Sequence, residues 1–242
     1  MKTHHATLLR LVLSCAAAMP ALALATPQAD AIPDKTLPTT EQATTAVRHV
    51  QEAVAIAQRL DKVARMRGVL QSAKGVFIVP NYGRAALAVG ASGGTGLLLA
   101  RRADGTWSEP VFYTTGALSV GVQAGVQKGA FVLVLNNERA VNEFLQNNNF
   151  SMNAKAGLTL VNWNKMVQGT VGTGDVLAWS DTKGLFGDLA TLELNDVRFS
   201  QKLTTAYYRQ PLRPAEVING STANPASAPL LKALPAPATS AR

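Results

Sequence analysis

Cysteine and histidine are nearly absent from this chain of 242 residues. Cys15 is the single cysteine, and the three histidines are His4, His5 and His49. One cysteine forms no disulfide within the chain, and so few ligands argue against a thiolate or histidine-rich metal site. The scarcity of histidine and cysteine also argues against a Ser-His-Asp triad and against a cysteine nucleophile. We therefore expect no cofactor, no metal ion and no enzymatic activity.

Long apolar stretches are missing too, except at the N-terminus. Lys2 and Arg10 precede an apolar segment over residues 11–24, and Ala23 and Ala25 supply the small residues of a cleavage site. This order predicts a secretory signal peptide over residues 1–25. No later run is long enough to span a bilayer. We expect the protein to be exported, and to be periplasmic or peripherally associated with a membrane.

A second processing route would use Cys15. It follows Val12-Leu13-Ser14, which resembles the lipobox of a lipoprotein. Only four residues separate Arg10 from Cys15, whereas the apolar region of a signal peptide normally has about seven or more. A cysteine inside an ordinary signal peptide fits this spacing better than an acylated cysteine.

The charge balance is basic, with 23 lysines and arginines against 15 acidic residues and a formal net charge of +8. A basic surface favours anionic partners, either phospholipid head groups or nucleic acid. Export and the lack of alternating basic and aromatic residues argue against nucleic acid. An ordinary solvated helix surface is the alternative interpretation. The candidate head-group ligands are the clustered cations Arg48, Arg59, Lys62, Arg65, Arg67, Lys74 and Arg84.

Most of these cations belong to a predicted amphipathic helix over residues 45–71. Apolar residues such as Ala46, Val50 and Leu60 recur there at helical spacing, opposite the cations. The apolar side contains no aromatic residue, which favours packing on the domain over insertion into a membrane.

The segments on either side of the domain are rich in Ala, Pro, Ser and Thr. Residues 26–44 are predicted to be a linker, residues 45–218 the folded domain, and residues 219–242 a disordered tail.

After Lys74 the apolar period changes from 3.6 to 2. Strands are predicted over residues 75–80, 85–91, 97–100, 118–127, 131–135, 156–161, 168–171, 176–180 and 189–194, and short helices near residues 138–145 and 200–208. Pro80 ends the first strand, and the glycines of residues 93–96 form a turn. Glycine among short strands permits strong curvature. The predicted fold is α+β, with a long N-terminal helix and a curved, Gly-rich, barrel-like antiparallel sheet.

Two features invite a chemical interpretation. Residues 90–96, Gly-Ala-Ser-Gly-Gly-Thr-Gly, are similar to a phosphate-binding loop, but such a loop precedes a helix, whereas three leucines follow here. We interpret these glycines as allowing tight turns and close packing. Glu193, Asp196 and Asp175 could act as acid and base, yet carboxylates that border turns are typical of a solvated surface.

Motifs along residues 45–218 resemble one known family. Residues 73–80, Ala-Lys-Gly-Val-Phe-Ile-Val-Pro, are similar to the AKGV-x-I-x-P opening of the SYLF domain, a lipid-binding module also called the Ysc84 domain. Further segments match the family in order and spacing: residues 93–99, 107–113, 119–127, 175–180, 183–187, 206–208 and 216–218. Asp181 departs from the family pattern, in which many relatives carry a basic residue.

The resemblance implies a binding protein. Eukaryotic members bind phosphoinositides and some bind or bundle actin, whereas exported bacterial members look like envelope proteins. With the signal peptide, it implies a non-enzymatic envelope protein that associates with anionic phospholipid. The alternative is a structural or adaptor protein that binds another envelope protein.

Overall fold

The computed structural model describes residues 39–86, 89–120, 125–146, 149–152, 158–169, 172, 174–181 and 194–238. The predicted signal peptide, with Cys15, and the linker up to residue 38 lie outside the described residues. Within the described part, no helix has both the length and the hydropathy to cross a membrane.

Two helices open the described part of the chain. α1 spans Thr40–Asp61 and α2 spans Ala64–Ser72, so the single predicted helix is divided by a two-residue turn. Thr39 caps α1, because its side-chain oxygen accepts a hydrogen bond from the Gln42 backbone N–H at 3.3 Å. The helix therefore begins inside the segment predicted as a linker.

Eight strands and five further α-helices follow among the described residues. The strands are β1 Gly75–Ala86, β2 Val89–Ala100, β3 Val111–Val120, β4 Gly125–Leu135, β5 Asn149–Met152, β6 Leu160–Asn162, β7 Val176–Ser180 and β8 Leu194–Phe199. The helices are α3 Glu138–Gln146, α4 Trp163–Val167, α5 Gln201–Tyr208, α6 Pro214–Asn219 and α7 Ala228–Ala233.

All eight strands join one sheet in the order β5-β8-β3-β2-β1-β4-β7-β6. The α+β prediction and the N-terminal helix are confirmed. The described pairs are antiparallel except β6 with β7, which run parallel, so the prediction of a wholly antiparallel sheet was wrong. No pairing among the described residues joins β5 to β6, and the barrel-like closure is not confirmed.

Strand boundaries differ from the prediction at Pro80. β1 continues past this proline, because its pairing with β2 shifts register between Ile78 and Gly83, and its pairing with β4 shifts nearby. Proline cannot donate to the sheet, and the irregularity removes the need for it to do so. In addition, the single strand predicted over residues 118–127 belongs to two strands, β3 and β4. Of the strand predicted over residues 168–171, the described residues Gln168 and Gly169 form the turn after α4, and the other two lie outside the described residues.

The glycines of residues 93–96 lie within β2 and form no turn. A side chain at Gly94 would approach the Asn81 carbonyl oxygen to 2.7 Å, and one at Gly96 would overlap the Phe77 ring. Close packing is therefore confirmed as the reason for glycine here. A phosphate-binding loop is excluded, since the chain continues as a strand.

Both faces of the sheet are buried. Phe112 and Tyr113 are neighbours in β3 and point to opposite faces. Tyr113 packs edge-on against Phe144 of α3 at 5.2 Å between centroids, and its hydroxyl donates to the Phe144 carbonyl oxygen at 2.7 Å. Phe112 packs against Tyr207 of α5, also at 5.2 Å. Thus α3 covers one face, and α5, which packs with α1, covers the other.

The C-terminal segment is ordered, and the predicted disordered tail was wrong for its described part. Residues 225–227 form a 3-10 turn that leads into α7. Leu230 is fully buried and Leu234 nearly so. The Trp107 indole N–H donates to the Pro235 carbonyl oxygen at 2.9 Å. These few anchors offset the entropy lost when an Ala- and Pro-rich segment becomes ordered.

Candidate functional site

The predicted head-group ligands begin on α1, a helix whose apolar side is already buried. Its buried residues are Ala46, Val50, Ala53, Ile56, Ala57 and Leu60. The helix contacts α5, α7 and the sheet. The face of α1 that remains exposed is therefore the polar one, which carries Arg48 and Arg59.

Arg48 lies on that exposed face. Its Nη1 is 3.2 Å from Oε1 of Glu52, one helical turn away, and its side chain is 56% exposed. His49 Nδ1 is 3.4 Å from the other carboxylate oxygen of Glu52. Burial lowers the pKa of His49 below its usual value, and the nearby Arg48 acts in the same direction, against the opposing effect of Glu52. His49 is therefore a neutral part of the helix packing.

Arg59 connects α1 to the sheet. Its Nη1 donates to Oδ2 of Asp181 at 2.8 Å, and its guanidinium lies 6.0 Å from the centre of the Trp179 ring. Asp181 Oδ1 also accepts from the Ala130 backbone N–H at 2.8 Å. The acidic residue that departs from the family pattern thus joins α1 to the middle of β4 and to the end of β7.

Arg65 bonds to the end of α4. Its guanidinium donates to the carbonyl oxygens of Val167 at 3.1 Å and Met166 at 3.3 Å. Carbonyls in the last turn of a helix have no partner within the helix, so Arg65 supplies one to Val167. The Met166 carbonyl oxygen also accepts from the Gly169 backbone N–H at 3.0 Å.

Arg67 binds the carboxylate of Asp61 with both ends of its guanidinium, with Nε 2.8 Å from Oδ1. Both partners line a groove of about 390 Å³ between the helices and the segment over residues 232–237. The lining is polar, which suits a head group better than an acyl chain.

Three of the candidate head-group ligands remain: Lys62, Lys74 and Arg84. Lys62 is exposed in the turn after α1. Lys74 Nζ lies 3.7 Å from the Glu138 carboxylate at the start of α3. The backbone of Arg84 belongs to β1, while its side chain lies outside the described residues.

The structure therefore brings together some of the seven candidates and not others. Four of them surround the turn between α1 and α2: Arg59, Lys62, Arg65 and Arg67. Arg48 is about 16 Å from Arg59 along the helix axis, at 1.5 Å per residue. Lys74 is directed towards α3. The best-defined cationic surface is thus the turn, not the length of the helix.

Sequence analysis missed one neighbour of this turn, the helix α4. It carries Lys165, which is exposed, and Trp163, which is half-buried. The missed signal is Asn162, whose side-chain oxygen accepts from the Asn164 backbone N–H at 2.7 Å and caps the helix. Asparagine is among the preferred N-cap residues, but α4 has only five residues and too little periodicity to be noticed.

The carboxylates considered for acid–base chemistry do not assemble. Glu193 and the side chain of Asp196 lie outside the described residues. A hydrogen bond from the Thr159 backbone N–H lowers the pKa of Asp175, which also binds Asn137. An ionised carboxylate held in this way joins the loop before β7 to α3. Among described residues, no group of three or more His, Cys, Asp or Glu could hold a metal ion.

A family model described as "Ysc84: Las17-binding protein actin regulator" matches residues 116–236, half of the chain. Similar curated proteins are the human "SH3 domain-containing YSC84-like protein 1", 28% identical over 163 residues, and "Protein YSC84" of Saccharomyces cerevisiae, 27% identical over 172 residues. An SH3 domain-containing protein of Schizosaccharomyces pombe is 30% identical over 172 residues.

These matches cover 66%, 69% and 69% of this chain, but only 47%, 36% and 40% of the respective relatives. The chain thus spans less than half the length of the curated relatives it matches. No solved structure matches it. The family model covers the sheet from β3 onward and the C-terminal helices, and the curated relatives cover about two thirds of the chain. The chain belongs to the Ysc84, or SYLF, family.

Proposed function

We propose that this protein is a non-enzymatic lipid-binding protein of the cell envelope that associates with the surface of anionic phospholipid. One observation carries the proposal: residues 45–74 contain six cations against two carboxylates. The described side chains of these cations are exposed, with Arg48 at 56%, Arg59 at 50%, Arg67 at 53% and Lys74 at 49%.

The ion pairs within this surface do not prevent lipid binding. An exposed ion pair stabilises a protein by about 0.2–1 kcal/mol. A cation near an anionic leaflet contributes on the order of 1 kcal/mol. Lipid phosphates can therefore compete for arginines that bind Asp61, Glu52 or Asp181, and the excess of cations favours the membrane.

The test is co-sedimentation with vesicles of phosphatidylglycerol or phosphatidylcholine. The protein is used as purified from expressing cells, and mass spectrometry identifies its N-terminus, which also tests the predicted cleavage. We expect binding to phosphatidylglycerol at about 0.01 M salt, where the Debye length is about 30 Å, and loss of binding near 1 M, where it is about 3 Å. Equal binding to both lipids, or binding to neither, would contradict the proposal.

A triple variant locates the surface. Replacing Arg48, Lys62 and Lys74 by Gln removes three cations with solvent-exposed side chains, so binding should weaken about tenfold or more. The matched control replaces three exposed cations at the helices α5 and α6, away from the groove that Asp61 and Arg67 line: Lys202, Arg209 and Arg213. Equal weakening in both variants would show that net charge, and not this surface, controls binding.

A second candidate function is adaptor binding to another protein of the envelope. It is favoured by the description of the family model as a Las17-binding actin regulator and by the SH3-containing names of two relatives. Chemical cross-linking followed by mass spectrometry separates the two functions. One stoichiometric protein partner, together with no vesicle binding, would favour the adaptor.

A further inference from the structure

Among the described residues, two large apolar side chains stand exposed to solvent: Val63 at 44% and Val167 at 42%. The other large apolar residues of α1 and α2 are buried or partly buried. The buried apolar side of α1 is not available to a membrane, because α1 would have to leave the fold and expose its whole buried face. An apolar contact between this region and a membrane would therefore be made by these two valines.

The two valines belong to the same corner of the molecule. Val63 lies in the turn between α1 and α2, and Val167 is the last residue of α4. Arg65, two residues after Val63, donates to the Val167 carbonyl oxygen at 3.1 Å and to that of Met166 at 3.3 Å. These bonds hold the turn against the end of α4. We use the name valine corner for Val63 and Val167 together with Trp163, Trp179, Arg59, Lys62, Arg65 and Lys165.

Two tryptophans and four cations belong to the elements that meet here. Trp163 opens α4, four residues before Val167, and Trp179 follows Ala178, which pairs with Asn162, the residue before Trp163. The Arg59 guanidinium lies 6.0 Å from the centre of the Trp179 ring. Both indoles are half-buried. The exposed cations are Arg59, Lys62, Arg65 and Lys165. The two neighbouring carboxylates, Asp61 and Asp181, bind Arg67 and Arg59.

Val63 also departs from local helix chemistry. It is the N-cap residue of α2, where Ser, Thr, Asn or Asp would bond to a free backbone N–H, and no such side-chain bond forms. Valine at this position makes α2 less stable than Ser, Thr, Asn or Asp would, and it also exposes apolar surface to water. Local rules broken without a structural gain are expected at functional sites.

We propose that the valine corner is the part of this protein that enters the bilayer interface, with Val63 and Val167 below the head groups and the four cations at the level of the phosphates. This inference rests on the proposed lipid-binding function and adds to it the orientation of the domain. Membrane contact is then made by a turn and a short helix end. The length of α1 stays packed on the protein.

The chemistry of the corner suits an anionic bilayer better than a protein partner. Tryptophan and basic side chains are enriched at the membrane–water interface, where one end of the side chain is apolar and the other is wet. A specific protein interface buries about 800 Å² on each partner around a packed apolar core, whereas two half-exposed valines offer little of that core. A fluid bilayer needs no complementary shape to accept them.

The test compares two double variants that leave the charge unchanged. In Val63→Ser/Val167→Ser the corner is polar, and in Val63→Leu/Val167→Leu it stays apolar. Misfolding is not expected, since serine at the N-cap should stabilise α2 and thermal unfolding should show a melting temperature at or above that of the unmodified protein. Vesicles of phosphatidylglycerol are titrated against each full-length protein, and co-sedimentation and tryptophan emission are measured.

We expect the serine variant to bind about fivefold more weakly or worse and to lose the blue shift of tryptophan emission, while the leucine variant binds at least as tightly as the unmodified protein. Trp179→Phe should remove part of the shift. If the serine variant keeps full, salt-sensitive binding and an unchanged shift, the valine corner is wrong and the proposed function stands. If the unmodified protein does not bind these vesicles, both are wrong.

Discussion

α1 and the C-terminal segment over residues 225–238 pack against each other, yet they are built differently. α1 buries six apolar residues along 22 positions, spread over its whole length. The segment is held by two leucines and by hydrogen bonds to Pro235. A helix such as α1, which is buried along its whole length, unfolds together with the core, whereas a segment held by a few contacts can detach alone. Similar substitutions in the two regions should therefore have different effects on stability.

The largest effect is expected in α1. Leu60 is 1% exposed, so Leu60→Ala removes a buried side chain and leaves a cavity, at a cost of about 3 kcal/mol in the free energy of unfolding. Urea denaturation followed by circular dichroism measures this value. Lys62→Ala, at an exposed neighbouring position, should change it by less than about 0.5 kcal/mol. Equal effects of the two substitutions would contradict the assigned helix face.

Leu230→Ala should cost less, although Leu230 is fully buried. The loss cannot exceed the free energy with which the segment docks, because beyond that point the segment detaches and the rest stays folded. We expect about 2 kcal/mol, seen as faster trypsin cleavage after Lys232. Leu231→Ala, at the half-buried next position, is the control. Global unfolding without local release would show that the segment and the core are one cooperative unit.

Trp107→Phe tests the hydrogen bond to the segment. The ring beneath the Arg101 guanidinium, 3.7 Å away, is largely retained, and the bond to the Pro235 carbonyl oxygen is lost. Arg101 still donates to that oxygen at 3.2 Å, so the expected loss is about 1 kcal/mol. It should appear in the rate of cleavage at Lys232 and hardly in urea denaturation. A large change in global stability would contradict a local role.

The smallest effect concerns pH and acts on α1 alone. Burial lowers the pKa of His49, so the unfolded chain binds a proton more readily than the folded one. The free energy of unfolding should therefore be highest above the ordinary histidine pKa of about 6.5 and should decline as the pH falls below that value. His49→Gln should remove this dependence, as measured by urea denaturation between about pH 7 and 5. The segment has one charged residue, Lys232, and should show no such change.

The same difference between α1 and the C-terminal segment explains which elements could be predicted from the sequence. α1, α3 and α5 were predictable because apolar residues repeat along their length, and the family resemblance followed from motifs within strands. The segment was missed because Leu230 and Leu234 are isolated among Ala and Pro. The order and pairing of the strands depend on contacts between distant residues, which no local pattern contains.

The candidate site was predictable in chemistry but not in geometry. The cations were evident from composition, yet only the folded chain shows that Arg65 bonds to the end of α4 and that Arg59 bonds to Asp181 after β7. Neither valine of the corner stands out in the sequence, since an exposed valine is notable only once the positions of its neighbours are known.

One edge of the sheet affects how the protein behaves at high concentration. The strand at that edge, β6, has three residues and described non-strand residues on both sides, whereas the central strands β1 and β2 have twelve residues each. An edge this short presents few backbone donors and acceptors to a passing chain, which is a common natural protection against edge-to-edge association. If the proposed membrane association is right, molecules crowded onto one bilayer surface remain separate and form no fibres through this edge.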